Sequence, residues 1–335
     1  MLDTETIRYL KQKFSDYYKA EAVQYPARFG RREFGFMFFD REGMIRHLSF
    51  NTRDEIKKFL IENAPAHVYH SSAYYEKPNI PEMNDKIWLG ADLIFDLDAD
   101  HVERAKNLAY AEMLAVVKEE TIKLIENFLI SDFGFDEKYI KVNFSGSRGY
   151  HIHVTDSKVQ SLNAYERREI LDYITGTGID YEKVFGKEAY DVLQKGPRKI
   201  TKRTMRMPKG DAKGWEGKIG RAIIDFITSM ETMPREKIIS GFLSYGIRKK
   251  TAEGIYSDLF EGATGKKGVD KIKTGKIDIF SKEGNLNEFL KIIQNQIRIG
   301  IGGETDEPVT SDTKRLIRMQ NSLHGKTGLK VVSMK

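Results

Sequence analysis

Apolar residues at Leu2, Ile7, Leu10 and Phe14 fall at helical spacing and predict a helix over residues 1–20. The pattern then changes period. In "REFGFMFFDREGMIRHLSF", Phe34, Phe36 and Phe38 alternate with Gly35 and Met37, and Asp40 to Gly43 supplies a turn. Met44 to Phe50 returns as the second strand of a hairpin. "NTRDEIKKFLIENA" reverts to helical spacing, with Asn51 or Thr52 in the capping position. "HVYHSSAYY" and "IWLGADLIFDLDAD" read as strands separated by the loop "EKPNIPEMND". Met113, Leu114, Val117, Leu124, Ile125 and Phe128 share one face of a long helix over 108–129. "YIKVNFSGSRGYHIHV" then gives strand, glycine-rich turn and strand.

From about residue 160 the texture is helical, in "NAYERREILDYITG", "WEGKIGRAIIDFITSM", "PREKIISGFLSYG" and "KKTAEGIYSDLFEG". The basic run "KGPRKITKRTMRMPKG" and the lysine-rich loop "GKKGVDKIKTGK" lie among these helices, and a further helix follows over 285–297. The closing segment "VTSDTKRLIRMQNSLHGKTGLKVV" combines a short helix, a turn and a strand. These elements predict an α+β layer structure with a mixed sheet. Its core is discontinuous, over 1–160 and 286–335, around a mainly helical subdomain over 161–285.

Composition narrows the chemistry. The chain has 335 residues, 40% hydrophobic and 31% charged, with 55 Lys and Arg against 49 Asp and Glu for a net charge of +6. The excess suits a polyanionic partner without demanding one. There is no cysteine, which excludes disulfides, cysteine-ligated zinc, iron–sulfur clusters and thiol catalysis. No apolar run reaches membrane-spanning length and the start lacks a signal-peptide pattern, so a cytoplasmic protein with no membrane partner is expected. The end, "GLKVVSMK", is an extended run without a clear terminal element, as in a shortened chain.

Three segments carry candidate chemistry. In "DLIFDLDAD", Asp96 and Asp98 lie two apart on a strand and project together. Two adjacent carboxylates repel unless a cation sits between them, and Mg²⁺ or Mn²⁺ prefers such oxygen ligands. The plainer reading is a solvated strand face running into a loop. In "SGSRGYHIHV", Gly146 and Gly149 permit a tight turn with exposed N–H groups, while Ser145, Arg148 and His151 add donors suited to phosphate. His153 shares the phase of His151 and suits a packing or surface role. In "ETDEPVTSDTKRLIRMQNSLHGKTG", Asp306 and Asp312 are alternative third carboxylates, and Arg315, Arg318, His324 and Lys326 are anion donors.

The ordered set of D-x-D after an apolar strand, S-G-x-x-G-x-H, and an aspartate upstream of L-H-x-K-T-G resembles the catalytic small subunit of archaeal and eukaryotic DNA primase. "RREFGF" and "IRHLSF" extend the resemblance, which runs from about Tyr25 to Leu329 and is weakest in the helical middle. It implies the primase fold, and metal ligation by Asp96, Asp98 and Asp306, the last lying eighteen residues before His324 as in the family. Asp312 then becomes a helix start or supporting residue. Ser145, Arg148, His151, Arg318 and His324 resemble the family's nucleotide-phosphate contacts, and Glu33 and Arg46 match polar positions near the nucleotide. Two departures are visible. "HVERAKNLAYAEM" lacks the cysteines of the zinc knuckle found in many archaeal members, so that zinc is not expected, and Gln320 stands where the family usually has proline.

The resemblance implies template-directed synthesis of short RNA primers by two-metal nucleotidyl transfer, with Mg²⁺ or Mn²⁺. It also implies a single-stranded DNA template, nucleoside triphosphates and a large subunit as partners. Lys199, Lys202, Arg203 and Arg206 are candidates for the template path, or else a solvated face. The competing readings are a primase-polymerase that extends DNA in repair or bypass, a nuclease, and a non-catalytic nucleic-acid-binding subunit.

Overall fold

The computed structural model describes residues 2–21, 23–195, 198–261, 267–300 and 305–334, with side chains at all of these except 103, 181–182, 187–195, 198–204 and 297–300. The chain divides into two compact units, Met1–Ile174 with Gly303–Lys335, and Thr175–Gly302.

The first unit opens with helix Thr4–Ala20, capped by the Asp3 carboxylate on Thr6 N–H. Strands β1 (Phe34–Met37) and β2 (Met44–Leu48) form the hairpin. Helix Arg53–Asn63 starts with a reciprocal cap: Thr52 Oγ1 accepts from Glu55 N–H at 3.2 Å, and Glu55 Oε2 accepts from Asn51 N–H at 2.8 Å. Next come β3 (His67–Ser71), β4 (Ala73–Tyr75), β5 (Trp88–Ala91), β6 (Leu93–Asp98), β7 (Ile140–Phe144) and β8 (Gly149–Val154). Helix Tyr110–Leu124 packs across β8 and β6 and runs on into a wider turn over Ile125–Ile130. The second unit carries a hairpin, β9 (Lys187–Lys195) and β10 (Arg198–Met205). The chain returns to the first unit for β11 (Leu316–Arg318) and β12 (Val332–Met334).

These strands make two four-stranded sheets, ordered β11-β3-β1-β2 and β12-β7-β8-β6, and two two-stranded ones, β4-β5 and β9-β10. The α+β architecture is as expected. In detail, every pairing among the described residues is antiparallel rather than mixed, because hairpins and returns connect the strands. Phe34, Phe36 and Val68 are fully buried under the helices Thr4–Ala20 and Arg53–Asn63, together with Phe14, Ile56 and Leu60.

The expected single strand "IWLGADLIFDLDAD" is two strands in two sheets, broken at Asp92. The cause is a buried polar junction. Arg32 reaches Asp92 Oδ2 at 2.6 Å and the carbonyls of Ser71 and Ser72 at 2.6 and 2.9 Å. Tyr74 Oη donates to the other Asp92 oxygen. Arg167 donates to the carbonyls of Asp92 and Ala91, each at 2.9 Å. Both guanidinium groups are almost fully buried, so these bonds satisfy the backbone groups freed where one sheet gives way to the next.

The unit boundaries differ from the sequence expectation. Helix Ala164–Thr175 belongs with the first unit as far as Ile174, held there by Arg167. Helix Glu283–Gly300 belongs to the second unit, because Phe289, Ile292 and Ile293 pack into its core with Ile219, Ile223, Ile255 and Val269. The basic run expected between helices supplies strand β10, which pairs antiparallel with β9 from the segment before it.

Candidate active site

Strand β6 has two faces of opposite chemistry. Leu93, Phe95 and Leu97 are fully buried, while Ile94, Asp96 and Asp98 project the other way. Burying three such side chains contributes roughly 5–9 kcal/mol, at about 1.5–3 kcal/mol each. That decides why the strand tolerates two carboxylates. Asp96 is pushed up to about 6, first by burial and then by Asp98, with Asp306 adding and Arg318 offsetting part. Holding Asp96 ionised at neutral pH costs about 3 kcal/mol, which the apolar face outweighs.

The pairing of β6 with β8 sets the register: Asp96 lies opposite His151 and Asp98 opposite Gly149. His151 is 1% exposed, and its Nε2 lies 3.6 Å from Asp96 Oδ1. Burial, with Arg318 and His153 nearby, pulls its pKa well below the ordinary histidine range, so the ring is neutral. Its Nδ1 is buried without a hydrogen-bond partner among the described residues.

The closing segment reaches this strand through a small apolar contact of Ile94 with Val309 and Ile317. Asp306 N–H donates to Asp96 O at 2.9 Å, and Thr305 Oγ1 donates to the same oxygen at 3.1 Å. Asp306 precedes helix Glu307–Ser311 but makes no side-chain cap bond among the described residues, and its Oδ2 lies 3.9 Å from His101 Nε2. Asp312, expected as a helix start or a supporting residue, does not start a helix but lies on the wall of the cavity that Asp96 lines. It is the C-cap of Glu307–Ser311, where its carboxylate accepts from Lys314 N–H at 2.8 Å.

Between β7 and β8, Gly146 takes φ +78°, a left-handed value that favours glycine, and a Cβ there would meet His324 Cβ at 3.0 Å. Ser145 is buried, with its Oγ accepting from Ser147 N–H at 3.3 Å. Arg148 is half exposed and holds Asp100 at 2.5 Å and Asp98 at 3.9 Å. A cavity of about 380 Å³ opens on Asp96 and His151. Arg46, Tyr69, Arg315 and Arg318 are among its other walls. Arg318 Nε is buried without a hydrogen-bond partner among the described residues, and its guanidinium carbon lies 5.9 Å from the Tyr69 ring centre.

Several candidate residues take positions that sequence spacing did not foresee. Glu33 is fully buried and is not part of the cavity wall. Its Oε1 accepts from Arg46 Nε at 2.9 Å and from His47 N–H at 3.2 Å, and Lys86 Nζ lies 3.2 Å from Oε2. Burial works to raise its pKa, but Arg46 and Lys86 more than offset this and hold it below the ordinary carboxylate value. Glu33 therefore orients Arg46. Lys86, itself fully buried, carried no sequence signal for this role. Nor did His67, whose ring stands edge-on to His324 at 4.7 Å. In the second unit Arg206 pairs with Glu216 at 3.2 Å, whereas the side chains of Lys199, Lys202 and Arg203 lie outside the described residues.

The DNA primase small subunit family model matches residues 95–334. The DNA primase small subunit PriS of Methanothrix thermoacetophila is 43% identical over 339 residues, covering 99% of this chain and 84% of that protein. This chain belongs to the DNA primase small subunit family. The PriS proteins of Methanococcoides burtonii and Methanocella arvoryzae are 41% and 37% identical, each covering 99% of this chain and 83% and 84% of those proteins. The family match spans the D-x-D strand, the glycine turn and the closing segment together.

Among the described residues, no three acidic or histidine side chains stand close enough to enclose a metal ion as they lie. The donor set nevertheless fits a hard divalent cation. Asp96 and Asp98 are oxygen donors on one strand face, and the repulsion that raises Asp96 is what a cation would relieve.

Proposed function

We propose that the protein is a primase catalytic subunit that builds short RNA primers on single-stranded DNA from nucleoside triphosphates. The observation that carries this reading is the meeting of segments far apart in sequence, since the Asp306 backbone is bonded to the carbonyl of Asp96 beside the Ser145–His151 turn. Asp96, Asp98 and Asp306 would hold Mg²⁺ or Mn²⁺. Such ions supply activation of a 3′-hydroxyl and charge neutralisation at the leaving pyrophosphate.

The remaining steps fall to the chain's own side chains. Arg318 and Arg315 offer unspent positive charge to the triphosphate, and Arg46 does so in an orientation fixed by Glu33. Arg148 exchanges its partner Asp100 for phosphate oxygens. Ser145 and the turn N–H groups shape the phosphate seat. His151, neutral and packed against Asp96, fixes the strand face rather than contributing charge. Single-stranded template and a large subunit complete the working enzyme, and the basic second unit is a further place for template.

Supplying a single-stranded template, ribonucleotides and Mg²⁺ or Mn²⁺, with the large subunit present, tests the reading. Wild type is expected to form dinucleotides without a supplied primer, and Asp96→Ala to form none. Extension of a supplied primer without new starts would move the assignment to a primase-polymerase, and product unaffected by the substitution would remove the proposed site.

A further inference from the structure

The turn after β11 fixes the position of a proton. Thr327 Oγ1 sits among three partners: Gly146 O at 2.7 Å, Leu329 N at 3.2 Å and His324 Nδ1 at 3.0 Å. A hydroxyl has one hydrogen to give. Gly146 O can only accept, so the hydrogen goes there. Leu329 N–H can only donate, which uses one lone pair of the oxygen. The other lone pair faces His324, so His324 Nδ1 carries a hydrogen.

The ring is also neutral. His324 is 4% exposed, and the charged or titratable groups facing it are Arg318 from β11, Lys326 from its own turn and His67 from β3. None of them is anionic. Burial, then Arg318 and Lys326, hold the pKa at about 4, and the adjacent His67 is likewise held at about 4. A neutral imidazole with hydrogen on Nδ1 has a bare lone pair on Nε2, and that nitrogen has no hydrogen-bond partner among the described residues. A phosphate oxygen is also an acceptor, so it cannot bond to His324 in this state.

We propose that Thr327 is a positioning residue that fixes His324 as the Nδ1–H tautomer, so that a nucleoside triphosphate binds there only together with one proton taken from solvent. The inference rests on the nucleotide-binding reading above. The arriving triphosphate brings several negative charges and reverses the field of Arg318 and Lys326 that keeps the ring neutral. Imidazolium then donates from both nitrogens, to Thr327 and to phosphate.

Calorimetric titration with the magnesium complex of a non-hydrolysable ATP analogue, in buffers of different ionisation enthalpy at pH 7.5, reads the proton count directly. Wild type is expected to take up close to one proton more than His324→Gln. Its dissociation constant is expected to rise roughly tenfold per pH unit above neutrality. Thr327→Val frees the hydrogen to move to Nε2 and is expected to cut the uptake below half, while Thr327→Ser restores it. Binding by wild type with the same proton count as His324→Gln overturns the inference and leaves the nucleotide reading standing. Thr327→Val with wild-type uptake overturns the role of Thr327. Absence of binding by wild type overturns the nucleotide reading and the inference with it.

Discussion

Gly149 is where the glycine turn touches the carboxylate strand most closely. It pairs with Asp98, and a Cβ built on it would stand 2.1 Å from Leu97 O and 2.8 Å from Asp98 Cα. Both are backbone atoms and cannot swing aside. Restoring even a 3.0 Å contact opens β8 from β6 by about 0.9 Å, at the residue proposed to hold the metal. Overpacking of this kind costs about 1–3 kcal/mol. A shift of about 1 Å in a reacting group lowers turnover by about 10²-fold. Gly149→Ala should therefore lose about 1–3 kcal/mol in urea unfolding and about 10²-fold in nucleotide incorporation. Gly30→Ala, with nothing within 4 Å of the added atom, is the matched control. A Gly149→Ala protein within twofold of wild-type activity and within about 0.5 kcal/mol in stability would refute the reasoning.

Other outcomes follow from the same structure. Asp96→Asn should raise stability at pH 7 by about 1–3 kcal/mol in urea unfolding while removing synthesis, because it removes the charge whose burial and repulsion push Asp96 to about 6; a destabilised variant would contradict this. Glu33→Ala should cost about 3–5 kcal/mol by stranding buried Lys86, and the pair Glu33→Leu with Lys86→Met should recover most of it. His70 and His153 are fully buried, and burial lowers them to about 3 and about 4. The unfolded chain binds protons on them that the fold refuses. Their stabilisation is therefore complete above pH 6.5 and lost as pH falls towards about 4, by about 1.4 kcal/mol per pH unit for each histidine. Urea midpoints at pH 7.5 and 5.5 should differ accordingly, and a flat profile would sink the argument.

The parts of this fold that rest on local periodicity were legible in the chain itself. The two-residue spacing of Asp96 and Asp98 put both on one strand face, and the capped helix at Thr52 was written in its first residues. The features that local pattern does not carry depend on partners distant in sequence. The break at Asp92 is made by Arg32, sixty residues upstream, and by Arg167, seventy-five downstream. Lys86 falls between the segment that reads as loop and the one that reads as strand, and acquires its role only when the chain entering β1 brings Glu33 beside it. The polar sequence "RKITKRTM" has little apolar alternation, so its strand pairing with β9 was not visible. Asp306 and Asp312 were chemically equivalent on residue type. Contact of Ile94 with Val309 and Ile317 draws that segment onto β6, and the Asp306 N–H bond to Asp96 O fixes which aspartate adjoins the strand.

The proposed metal centre joins Asp96, Asp98 and Asp306 around the divalent ions of nucleotidyl transfer. An anomalous-difference map from crystals of the protein grown with Mn²⁺ and a non-hydrolysable nucleoside triphosphate tests it most directly. Manganese peaks bounded by these three carboxylates are expected, with the triphosphate reaching Arg318 and the Gly146 turn. Manganese bound elsewhere, or an Asp306 carboxylate turned away from the occupied site, would contradict it.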